Sequence, residues 1–206
     1  WRGHLDQLLP RRRKSSRGHH AALPFNRIKR FMTKLHERPA VAARALEFLI
    51  LTAARTAEVL HADWDEIDLR QRIWIVPAER MKAEREHRVP LCEAALEILK
   101  ATPAKSRSGL IFKNSAKGNA LSIMAMPMLL RRMGIEETVH GFRSTFRDWA
   151  SETTNFSNEV CEMALAHTIP GKAEAAYRRG DLFNKRRKLM DAWAKYCGCG
   201  TDPGGN

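Results

Sequence analysis

The sequence predicts an α+β domain that is mainly α-helical and carries one small antiparallel β-sheet. Three observations carry this expectation. Apolar residues recur at spacings of three and four along most of the chain, and one region alone, Trp64 to Leu91, holds short β-type runs. A hydrophobic content of 44% over 206 residues is enough for one substantial core.

The elements follow in chain order. Residues 1–20 contain PRRRKSS, a basic stretch without a sustained apolar period, and are expected to be an interdomain linker remnant. From Asn26, suited to capping a first turn, Ile28, Phe31, Met32 and Leu35 predict a helix. An Ala- and Leu-rich helix should run from Pro39 to about Ala54. RIWIVP and HRVPL read as strands, and the charged AERMKAERE between them places Lys82 in or beside a hairpin turn. GLIF at 109–112 is either a further short strand or a buried connector. Further helices are expected at 93–101, 121–133, 140–153, 157–166, 172–179 and 183–197, and TDPGGN at 201–206 should be a disordered tail.

Composition narrows the function. Thirty-six Lys and Arg stand against 23 Asp and Glu, a formal charge of +13 with a pI near 10.1, which points to a polyanion such as nucleic acid. No stretch approaches the roughly 20 apolar residues of a spanning helix, and the N-terminal residues do not resemble a signal peptide. A soluble cytoplasmic protein is expected. Cys92, Cys161, Cys197 and Cys199 are too few and scattered for a disulfide framework, and Cys-Gly-Cys lacks a second ligand pair at finger-like spacing. A start at Trp1 rather than Met suggests a fragment of something longer.

Four stretches hold residues suited to chemistry on phosphate. In HGFRSTFRDWASE, Phe142, Phe146 and Trp149 form a core stripe, with His140, Arg143 and Arg147 on the adjacent flank. From spacing alone, a solvated basic face is about as good a reading. Arg55 follows a long apolar helix, and Glu58 three residues on can orient its guanidinium for bidentate phosphate binding or merely pair with it on a surface. Lys82 alone reads as a surface charge. In LAHTIPGKAEAAYRRGD, His167 ends a helix and Tyr177 precedes Arg178 and Arg179. The other tyrosine, Tyr196, lies with Leu189, Met190 and Trp193, where packing is the better expectation.

Taken together, these stretches resemble the catalytic domain of tyrosine recombinases of the phage-integrase kind. The order Arg, hairpin Lys, HxxR, His, Tyr is met by Arg55, Lys82, His140 with Arg143, His167 and Tyr177. The resemblance implies a recombinase catalytic domain at residues 21–200 and transesterification through a 3′-phosphotyrosyl bond. In that scheme Tyr177 is the nucleophile, Arg55 and Arg143 neutralise the phosphate, and His140 serves as acid or base. His167 bonds the phosphate, and Lys82 protonates the leaving 5′ oxygen.

No cofactor, metal or ATP is implied. The implied partners are double-stranded DNA attachment sites, further copies of the full-length protein in a tetramer on DNA, and accessory DNA-bending proteins. The fragment itself is expected to be monomeric, to act near the bacterial nucleoid, and to lack an upstream core-binding domain. Arg131, Arg132, Arg178, Arg179, Lys185, Arg186 and Arg187 are the expected backbone contacts, with the stripe Phe183, Leu189, Met190 and Trp193 packing in cis. The alternatives are a noncatalytic DNA-binding module and a type IB topoisomerase-like enzyme.

Overall fold

A computed structural model of the chain describes residues 21–114, 118–167 and 180–199. Within them lie α1 (Ile28–His36), α2 (Val41–Thr52), α3 (Thr56–Leu60), β1 (Ile67–Asp68), β2 (Ile73–Val76) and β3 (His87–Pro90). After the sheet come α4 (Glu93–Lys100), α5 (Ala125–Arg132), α6 (Gly141–Thr153), α7 (Asn158–Ala164) and α8 (Phe183–Tyr196). The expected linker at 1–20, helix at 172–179 and tail at 201–206 lie outside the described residues.

Helix α2 is the hub. Leu46, Phe48, Leu49, Ile50 and Leu51 are all buried, so the helix is apolar around nearly its whole circumference and must be enclosed. It packs against α1, α3, α4, α5, α6 and α8. Its one buried carboxylate, Glu47, is held by Arg44 and by His36 Nδ1, each at 2.8 Å.

The expected hairpin forms. Strands β2 and β3 pair antiparallel from Ile73↔Pro90 to Val76↔His87, and Lys82 is exposed in the segment joining them. β1 adds a short third strand on the other side of β2. GLIF is a connector: Leu110 forms an isolated bridge with Asp63, and Phe112 inserts into the core.

Two expected boundaries shift. Asn26 does not cap α1, because the chain enters through a 3₁₀ turn, Phe25–Arg27, whose Arg27 N–H is taken by the Pro24 carbonyl at 2.9 Å. The helix expected from residue 121 starts at Ala125, because Ser122 Oγ accepts from Met124 N–H at 3.2 Å and holds a turn there.

The core stripes of α6 and α8 pack on each other, while Phe183, expected in the second, is only half-buried beneath Arg88. Trp149 and Trp193 have ring centroids 4.9 Å apart, and Phe146 meets Trp193 edge-on at 5.5 Å. Trp193 Nε1 donates to the Ile50 carbonyl of α2 at 2.8 Å, which fixes α8 in cis on the hub helix. Tyr196 stacks on Trp193, matching the packing role expected of it.

Candidate active site

Two helix ends point at one place. Helix α2 stops at Ala53 (φ 50°), and α7 stops before Ala166 (φ 49°); both are in the left-handed region without being glycine. Each such turn leaves terminal carbonyls unsatisfied by the helix, at the negative end of its dipole. Cations are therefore drawn to both ends.

Arg143, from the first turn of α6, fills the gap between them. It is 5% exposed, donates to the Ala53 carbonyl and, at 2.6 Å, to the Leu165 carbonyl, and lies 3.2 Å from His167 Nε2. Arg55 arrives from the start of α3. Its Nη2 donates to the Ala166 carbonyl at 3.1 Å and to the same Leu165 carbonyl at 3.4 Å. Residues 55, 143 and 165 to 167, from three separate stretches of sequence, thus share one cluster.

The guanidinium groups are oriented from behind. Glu58, itself buried, accepts from Arg55 Nη1 at 2.7 Å and from the Arg55 backbone N–H at 2.8 Å. An arginine has only donors, so His167 Nε2 accepts from Arg143, and Nδ1 is left to donate to Glu162 at 2.7 Å. Arg147 Nε donates to the other Glu162 oxygen at 2.6 Å and also reaches Ser151 and Asn158. Burial alone would raise the Glu162 carboxyl, but the bonds from Arg147 and His167 outweigh it and hold the group below the usual carboxylate range.

Burial, and then the Arg55 charge, bring the Arg143 guanidinium well below the usual arginine range, to about 10. It stays protonated at neutral pH, a desolvated cation beside a second cation. Three arginines here face two carboxylates, Glu58 and Glu162, which leaves an excess positive charge suited to an anion.

The other expected residues divide. His140 is exposed directly before α6, three residues from Arg143, while the α6 start is capped by Thr138 Oγ1, which accepts from Gly141 N–H at 3.0 Å. Lys82 is exposed on the hairpin, whose foot is tied to the cluster because Arg80 Nη1 donates to the Glu58 carbonyl at 3.1 Å. Arg131, Arg132 and Lys185 are exposed, and Arg187 is half-buried with Nη2 on the Gln71 carbonyl at 3.0 Å. Tyr177, Arg178 and Arg179 lie outside the described residues.

Arg186 is the correction. It is 1% exposed and spends its donors on Asp181 and on the Arg88 carbonyl, so it is no surface contact for a DNA backbone. Sequence reasoning passed over four residues that build the site: Glu162, Arg80, Ala166 and His87. His87, on β3, is lowered from 6.5 to about 4 by burial first, then by the Arg186 charge, with Arg55 and Arg143 adding to it. Its place opposite Val76 in the hairpin was readable, but its neighbours across the fold were not.

Comparison with known proteins identifies the family and the fold. The phage integrase family matches residues 22–181. Prophage integrase IntZ of Escherichia coli K12 is 34% identical over 194 residues, which cover 92% of this chain and 47% of that protein. The integrase of Enterobacteria phage P4 is 31% identical over 201 residues, covering 86% and 45% respectively. The chain therefore spans less than half the length of these relatives.

Among solved structures, an integrase from mycobacterium phage Brujita shares the fold at a TM-score of 0.65 and 16% identity, over 96% of this chain and 68% of that one. The λ integrase dimer bound to a COC′ core site aligns at 0.55 and 18% identity, over 81% and 61%. With the family match running over most of its length, this chain belongs to the phage integrase family, the tyrosine recombinases.

Proposed function

We propose that this domain cleaves and rejoins double-stranded DNA at specific sites through a 3′-phosphotyrosyl intermediate on Tyr177. The observation that carries the reading is the shared Leu165 carbonyl. Arg55 and Arg143 both donate to it, with His167 on the second, so two fixed cations and an imidazole converge where one phosphate can replace a carbonyl as acceptor. A phosphodiester gains negative charge on its nonbridging oxygens as it becomes five-coordinate, and preorganised donors stabilise that charge most in a desolvated site.

Tyr177 lies ten residues beyond His167 in the sequence. Its phenolic oxygen attacks phosphorus, the bond from phosphorus to the 5′ oxygen breaks, and the ester is retained as phosphotyrosine. With an ordinary pKa of about 10, only about one part in a thousand of a free tyrosine is phenolate at pH 7, so a nearby base must take the proton. His140 takes that role, and Lys82, on its exposed hairpin, gives a proton to the departing 5′ oxygen. A 5′-hydroxyl from a second strand reverses the step, and neither water nor ATP is consumed. To bond the phosphate, His167 Nε2 gives up the bond it accepts from Arg143, takes a proton and donates to a phosphate oxygen.

Arg131, Arg132, Lys185, Arg187, Arg178 and Arg179 contact the backbone without specifying sequence. The λ integrase neighbour is described as a dimer on a DNA core site. For this chain we propose attachment-site DNA as partner and, for the whole protein, a tetramer on DNA, assisted by DNA-bending proteins and working at the bacterial nucleoid.

The test is a nicked duplex, selected by binding from a randomised pool, whose cleavage releases a short strand and strands the covalent adduct. Tyr177→Phe should abolish the adduct while Tyr196→Phe retains it. An adduct that persists in Tyr177→Phe moves the nucleophile elsewhere. Salt-sensitive binding with no adduct favours a noncatalytic module, and relaxation of supercoils without exchange between two defined sites favours a topoisomerase-like activity.

A further inference from the structure

The basic run KRRK at 185–188 hides one residue of a different kind. Arg186 is 1% exposed, although its neighbours Lys185 and Lys188 are exposed. Its Nε donates to the Asp181 carbonyl at 2.7 Å, its Nη2 to the Asp181 carboxylate at 2.7 Å, and its Nη1 to the Arg88 carbonyl of β3 at 2.6 Å. Asp181 also accepts from Phe183 N–H at 3.1 Å and faces Arg88 Nη1 at 3.4 Å. Arg88 lies over the Phe183 ring, 4.3 Å from its centroid. Leu182 between them is left-handed, with φ 51°. A buried guanidinium with three bonded partners and a strained neighbour is more than α8 needs to start.

Position explains the investment. Asp181 is four residues after Tyr177, so the chain keeps the Tyr177 α-carbon within roughly 14 Å of that of Asp181, and the clamp fixes the point from which that reach is measured. On the other side of Tyr177, Leu165, Ala166 and His167 are already bonded to Arg55 and Arg143. Both described flanks of the tyrosine segment are thus fastened, one to the phosphate cluster and the other to the hairpin strand that begins with His87.

We propose that Arg186, with Asp181, is a positioning residue for the nucleophile: it fixes where the tyrosine segment rejoins the fold and thereby the reach of Tyr177 toward the phosphate. This rests on the reading that Tyr177 is the nucleophile. Lysine cannot replace the planar fork that serves two carbonyls and a carboxylate at once, so Arg186→Lys keeps the charge and loses the geometry.

Three readouts separate positioning from folding and from DNA binding: the affinity for the selected duplex, the rate of adduct formation at saturating duplex, and cleavage in a Tyr177→Phe background by hydrogen peroxide. The small nucleophile uses the same cations and does not need the tyrosine segment. Arg186→Lys should lower the adduct rate about 100-fold, the scale of an ångström-sized misplacement, with affinity and peroxide cleavage within twofold of the parent. Asp181→Asn, which leaves both backbone acceptors of Arg186 in place, should lose less in the same direction.

Parallel loss of adduct and peroxide cleavage in both variants would make the clamp a general structural brace and overturn the proposal. An unchanged adduct rate in both would overturn it as well. An adduct that survives Tyr177→Phe alone defeats the underlying reading, and is told apart because it needs no clamp variant.

Discussion

Replacing Arg143 with lysine turns the electrostatics of the cluster into a pH measurement. Burial and the Arg55 charge bring Arg143 down to about 10. The same surroundings acting on a lysine push it below its ordinary value of about 10.4. The sign is fixed by the charge: below that value the ammonium is present, and as pH rises through it the cation is lost. Arg143→Lys should therefore lose cleavage, about tenfold per pH unit, as pH rises past that lowered value, while the parent, protonated throughout, holds its activity over the same range.

A second loss is independent of pH. Arg143 bonds the Ala53 and Leu165 carbonyls and His167 together, and a single ammonium cannot reach all three in that geometry. Removing one preorganised donor from an anion site costs about 10²- to 10³-fold in rate, which sets the expected level at pH 7. The assay is single-turnover adduct formation at subsaturating duplex, where the profile reports the free protein. Profiles of equal shape up to pH 9.5 would refute the claim that residue 143 sits desolvated beside a second cation. Arg143→Ala removes the charge at every pH and leaves the Ala53 and Leu165 carbonyls without this donor, at about 1 to 3 kcal/mol each, so it sets the floor of the profile rather than its shape.

Three further outcomes follow from other parts of the molecule. His87 is neutral in the fold down to about pH 4 but takes a proton near 6.5 when unfolded, so stability should fall with acid between these values, by on the order of 3 kcal/mol; urea titrations across that window should show the slope, and His87→Gln should flatten it. Ala53 holds a left-handed turn at φ 50°, so Ala53→Gly should raise stability by up to about 1 kcal/mol, read as a higher melting temperature, where an interior helix site would show a loss. Arg131→Ala and Arg132→Ala should each lower the salt dependence of DNA affinity by about one counterion and leave the rate at saturating duplex unchanged; an unchanged slope would remove them from the interface.

Much of this arrangement was legible because it is local. The hub helix announces itself by apolar residues on every side, the hairpin by two β-type runs around a charged turn, and the α6 stripe by Phe142, Phe146 and Trp149, all buried. The ordered motifs pointed to Arg55, Arg143 and His167, which do meet. The Leu165 carbonyl that joins them was not readable, because it depends on Ala53 and Ala166 adopting left-handed turns with no glycine to mark them.

Arg186 shows a signal overlooked rather than missing. It stands three residues before Leu189, four before Met190 and seven before Trp193, so it belongs to their buried stripe, yet its place in KRRK made it look like its solvated neighbours. Glu162 and Arg80 were beyond local reading, since their partners lie on other elements: Arg147 on α6 for one, the Glu58 carbonyl on α3 for the other.

The most direct test of a cation pair built for one phosphate is to take the charge off that phosphate. In a selected duplex whose scissile linkage has a nonbridging oxygen replaced by methyl, Arg55→Ala and Arg143→Ala should recover most of the cleavage they lose on ordinary DNA, relative to the parent. Deficits equally large on the neutral and the charged linkage would contradict the account, because the arginines would then be serving the fold rather than the anion.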